Sequence, residues 1–136
     1  MDVEQVAHEG IVCAVIIRRG DVPPGVHFFT PDENPLQVGW QMRPKGTLIK
    51  AHAHCEVQTK LAGYLQEVLY IQQGRLKIIF YTDDGRPVTE RVLEGGDTIL
   101  LIRGGHAFQA IDDVRMLEIK MGPYDPAGKK NLKVDA

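Results

Sequence analysis

The chain has 136 residues, 43% of them hydrophobic and 25% charged, with 16 basic residues against 18 acidic ones. That length fits a single domain with a core of its own, and the composition excludes disorder, coiled coil and collagen as descriptions of the whole. A net charge of -2 disfavours nucleic acid as a partner, because binders of this size carry a basic excess, and points instead to a small molecule or a protein.

Met1 to Gly10 carries acidic residues where a secretory signal needs a basic region followed by an apolar run. The most apolar stretches, Ile11–Ile17 and Thr98–Ile102, fall far short of the roughly 20 residues that span a bilayer. Two cysteines, Cys13 and Cys55, make no disulfide framework and read as free thiols, so the expected location is the cytoplasm. Turn signals such as Pro23-Pro24-Gly25, Asp83-Asp84-Gly85 and Glu94-Gly95-Gly96 separate short runs rich in Val, Ile, Leu, Phe and Tyr. That rhythm describes an all-β sandwich or barrel. The predicted strands are Ile11–Arg18, Gln37–Met42, Thr47–His54, Leu65–Gln72, Arg75–Tyr81, Pro87–Leu93, Thr98–Ile102, Gln109–Ile111 and Val114–Met121. The Arg75–Tyr81 and Pro87–Leu93 strands form a hairpin in which Gly85 supplies a positive φ. Glu56–Leu61 is a short helical turn cut off by Gly63, and Asp125–Ala136 is a tail. Ile11–Arg18, apolar on both faces, is expected to pair across a homodimer interface.

Within Thr47–His54, His52 and His54 project from one face of the strand, about 7 Å apart, and could bind one metal ion as neighbouring ligands. His106 follows Gly104-Gly105, whose backbone freedom allows a tight bend that aims the imidazole inward. His8 and His27 belong to no such spacing. Cys55 would face away from both histidines on a continuing strand and reads as a buried small hydrophobe.

Gly46, five residues, His52, one residue, His54, and then Glu67, six residues, Gly74 resemble the first motif of the cupin family. Gly96-Asp97 followed by Gly104-Gly105-His106 is similar to the second. The resemblance covers about residues 46–110 and implies a double-stranded β-helix, a small jelly-roll barrel comprising the whole chain as one domain. It also implies a metal site on His52, His54, Glu67 and His106. Twelve residues separate His54 from Glu67, which implies a longer loop, Cys55–Gln66, at the barrel mouth. Glu56 is closer in sequence to the histidines but lacks the downstream glycine that Glu67 keeps in Gly74.

Three neutral imidazoles and a carboxylate suit a divalent transition ion (Fe, Mn, Zn, Ni or Co) and leave coordination positions open for a ligand. In Met116-Leu117-Glu118-Ile119-Lys120, the side chains of Glu118 and Lys120 share one strand face. That face is either a solvated outer surface or part of the mouth, where Glu118 and Lys120 would touch the substrate and offer the base for a proton transfer. Lys50 could hold an anionic group beside the metal or extend outward from the strand end. Tyr64, Tyr70, Tyr81 and Tyr124 read as packing or rim residues, and Asp97 as a turn residue. The end of this strand also resembles that of small cupins found with sugar-nucleotide and polysaccharide biosynthesis enzymes. The leading expectation is Lewis-acid isomerisation or epimerisation of a sugar, sugar phosphate or sugar-derived small molecule. An Fe(II)-dependent dioxygenase and a non-catalytic sugar- or anion-binding or regulatory protein are the alternatives.

Overall fold

A computed structural model describes residues 1–54 and 65–120. The predicted helical turn at Glu56–Leu61, Cys55, Tyr64, Tyr124 and the tail Asp125–Ala136 lie outside the described residues. The described chain forms β1 (Val3–His8), β2 (Ile11–Ile17), β3 (Gly25–Phe28), β4 (Gly39–Met42) and β5 (Glu67–Gln73). It continues through β6 (Leu76–Tyr81), β7 (Pro87–Leu93), β8 (Thr98–Leu101), β9 (Gly105–Ala110) and β10 (Arg115–Lys120). Every pairing is antiparallel, and the all-β class expected from the turn rhythm is observed. No helix among the described residues is long and apolar enough to cross a membrane.

Contacts divide the chain into two compact units, Met1–Gly20 with Tyr64–Ala136, and Asp21–Gly63. The first contains a five-stranded sheet, β1-β2-β8-β5-β10, and a three-stranded sheet, β7-β6-β9. Val6, Ala14, Ile16, Leu69, Ile71, Ile99 and Leu101 of the larger sheet form one core with Leu76, Ile78, Phe80 and Leu93 of the smaller. The two sheets therefore face each other as a sandwich, each presenting alternate residues to a shared apolar interior. They stay separate sheets, and no closed barrel forms among the described residues. The second unit contains the β3–β4 ribbon, in which His27 lies opposite Trp40.

The β6–β7 hairpin has the predicted limits at Pro87–Leu93, and Gly85 has the expected positive φ of 90°. Sequence reasoning missed β1, whose only deeply buried side chain is Val6, so it lacks a visible apolar run. Glu9 and Gly10, with φ of 51° and 77°, turn it back on β2. Two successive positive φ values give the twist that two antiparallel strands require. Sequence reasoning also missed the short strand β3.

Three expectations are corrected. Thr47–His54 is not a strand: Thr47 closes a turn on the Pro44 carbonyl through both its N–H and its hydroxyl, and the segment continues as irregular chain. A strand needs a ladder partner, and this segment has none among the described residues, leaving Leu48 and Ile49 85% and 55% exposed. The strand expected at Gln109–Ile111 instead begins at Gly105 and so includes His106, because β6 offers a partner from Tyr81 through Leu76. Finally, β2 is an interior strand between β1 and β8, which explains its apolar character on both faces without a partner subunit.

Cys13 on β2 is a buried free thiol whose pKa burial pushes up, keeping it protonated and unreactive. Asp97, 1% exposed, holds the β7–β8 turn to the end of β2. Its carboxylate accepts hydrogen bonds from the backbone N–H groups of Glu94 and Arg19, both at 2.9 Å, and from Arg18 Nη1 at 3.2 Å. The turn role expected of Asp97 is thus observed. Asp97→Ala strands two backbone donors and a guanidinium, and should cost about 3 kcal/mol, or roughly 10 °C in melting temperature. Asp97→Asn, which retains an acceptor oxygen, should fall between the alanine variant and the wild type. Thermal melts followed by circular dichroism check both, and an unchanged midpoint for the alanine variant would show that other contacts hold the turn.

Candidate functional site

Chain connections define one closed end of the sandwich. Gly74-Arg75 links β5 to β6, and Ile111–Val114 links β9 to β10, both crossing between the sheets. There Arg75 Nε donates to Asp112 at 2.7 Å, and the Ile111 N–H donates to the Arg75 carbonyl at 2.9 Å. A Cβ at Gly74 would overlap the Asp113 carbonyl oxygen, and Gly74 has φ of 87°, so the motif glycine packs this crossing. At the other end lie the start of β5 with Glu67, the end of β10 with Lys120 and the start of β9 with His106.

Alternation determines which way these side chains point. On β5, Leu69 and Ile71 are fully buried in the core, so Glu67, two residues earlier, faces the same interior. On β10, Lys120 lies opposite Glu67, Glu118 opposite Leu69 and Met116 opposite Ile71. Glu118 and Lys120 therefore share the sheet face of Glu67 and Leu69, with Leu117 and Ile119 on the other face, and all of β10 is exposed to solvent. On β9, His106 lies opposite Phe80 and Phe108 opposite Ile78, both core residues, so the two aromatic side chains also face inward. Gly104, with φ of 83°, makes the bend into β9, and a Cβ there would stand 2.7 Å from the Tyr81 carbonyl oxygen.

Glu67 and His106 meet across the two sheets. His106 Nε2 donates to Glu67 Oε1 at 3.1 Å. The carboxyl groups of Glu67 and Glu118 act on each other, and their pKa values move in opposite directions. Lys120 Nζ stands 4.0 Å from Glu118 Oε1. The hydrogen bond from His106 holds the Glu67 carboxyl below the usual glutamate range, against the opposing effect of burial. The hydrogen bond to Glu67, reinforced by desolvation and by the like charge, pushes the Glu118 carboxyl up. Such a cluster can bind a cation or hydroxyl groups and can store and release a proton.

The second unit carries the other two predicted ligands. His52 Nδ1–H donates to the Lys50 carbonyl at 2.9 Å, which leaves Nε2 with a free lone pair in the neutral ring. The His52 and His54 ring centroids are 5.3 Å apart, edge to face. The two histidines are neighbours as expected, but on irregular chain and not on a strand. The backbone of Lys50 fixes the His52 tautomer, a role no spacing rule would indicate. His52, His54, Glu67 and His106 are all described, and among the described residues no three His, Cys, Asp or Glu side chains form a metal-holding group. His8 lies 3.7 Å from Glu9 at the surface, and His27 donates to the Pro23 carbonyl at 2.9 Å. Phe108 and Met116 were not singled out, although the period of two from His106 and Glu118 was signal enough to place them.

Compared with protein-family models, with curated proteins and with solved structures, the chain matches none.

A carboxyl whose pKa folding raises favours the folded state while protonated and opposes it once ionised. The Glu118 pairing therefore costs stability as pH rises from the ordinary glutamate range through its raised value. Glu67 works in the opposite sense, and its contribution is lost as pH falls through its lowered value. Glu118→Gln donates an N–H to Glu67 without a second negative charge. It should raise the melting temperature at neutral pH by about 1–2 °C, the scale of an exposed ion pair. The gain should vanish below the ordinary glutamate range, where the wild-type carboxyl is protonated. Melts across pH check this, and a gain that persisted in acid would count against a proton-sharing pair.

Proposed function

We propose that this chain is a metal-binding cupin, a double-stranded β-helix protein that holds one divalent transition metal ion through His52, His54, Glu67 and His106. Its ligand is a sugar or sugar-derived small molecule. The observation that most supports the metal is the 3.1 Å separation of His106 Nε2 and Glu67 Oε1. Two ligand atoms about 2.1 Å from one ion and at right angles to each other stand about 3.0 Å apart. The ion would replace the proton that His106 donates to Glu67, as metal binding generally displaces protons from its ligands. His52, with Nδ1–H tied to a carbonyl and Nε2 free, has the orientation that metal-bound histidines adopt.

When bound, the ion supplies Lewis-acid polarisation of a neighbouring hydroxyl and carbonyl pair. Glu118 would take up and return a proton in this reading, which the upward push of the neighbouring Glu67 on its carboxyl supports. Lys120, opposite Glu67, offsets the negative charge of the carboxyl pair. The reaction this set serves best is isomerisation or epimerisation by proton transfer beside a carbonyl. The same reading takes the protein as a cytoplasmic homodimer, with β1 and β10, the edges of the five-stranded sheet, as strands available for pairing.

His52→Ala, His54→Ala and His106→Ala should each weaken metal binding by at least about tenfold, because each removes one bond from the ligand set. Glu67→Gln should weaken it less, and His8→Ala and His27→Ala should leave it unchanged. Metal analysis of purified protein and titration with Mn, Fe, Co, Ni and Zn read this directly. Removal of the metal should lower the melting temperature without unfolding the protein at room temperature, because the sandwich has its own core. Unchanged metal stoichiometry in the triple histidine variant overturns the site. Light scattering at micromolar concentration should give the mass of a dimer, and a monomer there rejects that part of the reading.

A further inference from the structure

His106 is the second residue of β9 and follows two glycines, the first of which, Gly104, has a φ of 83°. The strand aims the Cα–Cβ bond but leaves the imidazole to choose its own plane, because the outer torsion of a histidine is broad and roughly two-fold. The side chain is 32% exposed, so no enclosing wall makes that choice. The hydrogen bond to Glu67 Oε1 at 3.1 Å fixes the position of one atom, Nε2, and the ring can still swing about that contact.

Phe108 removes the remaining freedom. Side chains two residues apart on a strand share a face and stand about 6.6 Å apart. The His106 and Phe108 ring centroids are 5.1 Å apart with planes 24° from parallel, so the two rings lean together and pack face on face. Such a contact permits two settings of the imidazole, related by a half-turn, and excludes those between them. The half-turn would put Cε1 where Nε2 stands and lose the hydrogen bond to Glu67, so the stack and the hydrogen bond together leave one setting. Phe108 itself is 39% exposed and lies outside the core, whereas Phe80 and Ile78, which stand opposite His106 and Phe108, are buried in it.

We propose that Phe108 is a positioning residue for His106. Its ring fixes the imidazole plane so that Nε2 is presented to Glu67 and, once its proton is displaced, to the metal ion. A ligand atom that already points at the ion needs no ordering when the ion arrives, so the stack strengthens metal binding without a contact to the metal. The statement about the metal rests on the reading of His106 as a ligand, whereas the statement about the hydrogen bond holds without it. An aromatic pair of this kind contributes a factor of several, up to about tenfold, to the population of the aligned ring. Leucine at position 108 would fill a similar volume but has no flat face, and tyrosine keeps the face.

Nuclear magnetic resonance on the metal-free protein tests the hydrogen-bond half, at a pH above the ordinary histidine range where the ring is neutral. In the wild type the ring C–H protons of His106 should be shifted upfield by the Phe108 ring, and the Nε2–H proton should exchange slowly with water. Phe108→Leu should speed that exchange several-fold, up to about tenfold, and Phe108→Tyr should restore it. Titration with Zn then tests the metal half: the leucine variant should bind it more weakly by a similar factor, and the tyrosine variant as the wild type does. Melting temperatures confirm that both variants fold, and a change in stability alone would leave the exchange of one ring N–H untouched. Unchanged exchange in a folded Phe108→Leu overturns the positioning role. So does the absence of the upfield shift in the wild type, which needs no variant to fold. Faster exchange in the leucine variant with unchanged Zn affinity overturns the metal half. Failure of the wild type to bind Zn or the other transition ions overturns the metal reading, while the exchange measurement still decides whether Phe108 orients His106.

Discussion

Burial of Leu69 and Ile71 decides which way Glu67 points, and the rest of the site follows from that. Both leucine and isoleucine are fully enclosed between the sheets, and a strand cannot turn one of its alternate residues without turning them all. Glu67 is therefore committed to the interior, where an ionised carboxylate is costly unless it is paired. The pairing comes from the opposite sheet through His106 and from the neighbouring strand through Glu118. Register extends the same constraint to β10: with Lys120 opposite Glu67, Glu118 must fall opposite Leu69 and face inward. A slip of one residue would exchange Glu118 and Lys120 for Leu117 and Ile119 and erase the polar cluster.

The two ends of the sandwich solve different problems. At the closed end, two chain crossings pack so tightly that Gly74 has no room for a side chain, and an Arg75–Asp112 ion pair ties the two crossings together. At the opposite end and along the β9–β10 side, the inward-facing positions hold carboxyl, imidazole, ammonium, aromatic and thioether groups in place of aliphatic ones. Aliphatic residues at those positions would have sealed the sandwich and added stability. A polar, accessible lining forgoes that gain, as binding sites in otherwise well-packed proteins do.

Asp97 shows how a residue that looks functional from its neighbours can be structural. It sits beside motif glycines and is ionisable, yet it is almost completely enclosed, with its oxygens satisfied by two backbone donors and Arg18. Such a carboxylate has no capacity left for chemistry, and its work is to join a turn to the neighbouring strand. Glu67 and Glu118 differ because their pairing is with other titratable groups, whose partners a metal or a ligand can replace.

The all-β class, the β6–β7 hairpin, the positive φ of Gly85 and the strand character of residues 67–73 and 115–120 were legible in the sequence. Turn residues and apolar alternation act over a few neighbours, and a linear pattern records them fully. The pairing of His52 and His54 was legible for the same reason, although their backbone is irregular and not a strand. Among the features not legible were the strand β1, the interior position of β2 and the sheet face that Glu118 and Lys120 share with Glu67. Each depends on which strand lies beside which, a property of contacts between residues far apart in the chain. Alternation alone says that Glu118 and Lys120 share a face. Only the sheet that pairs β10 with β5 decided that this face looks inward, because an edge strand takes its orientation from the buried strand it is bonded to.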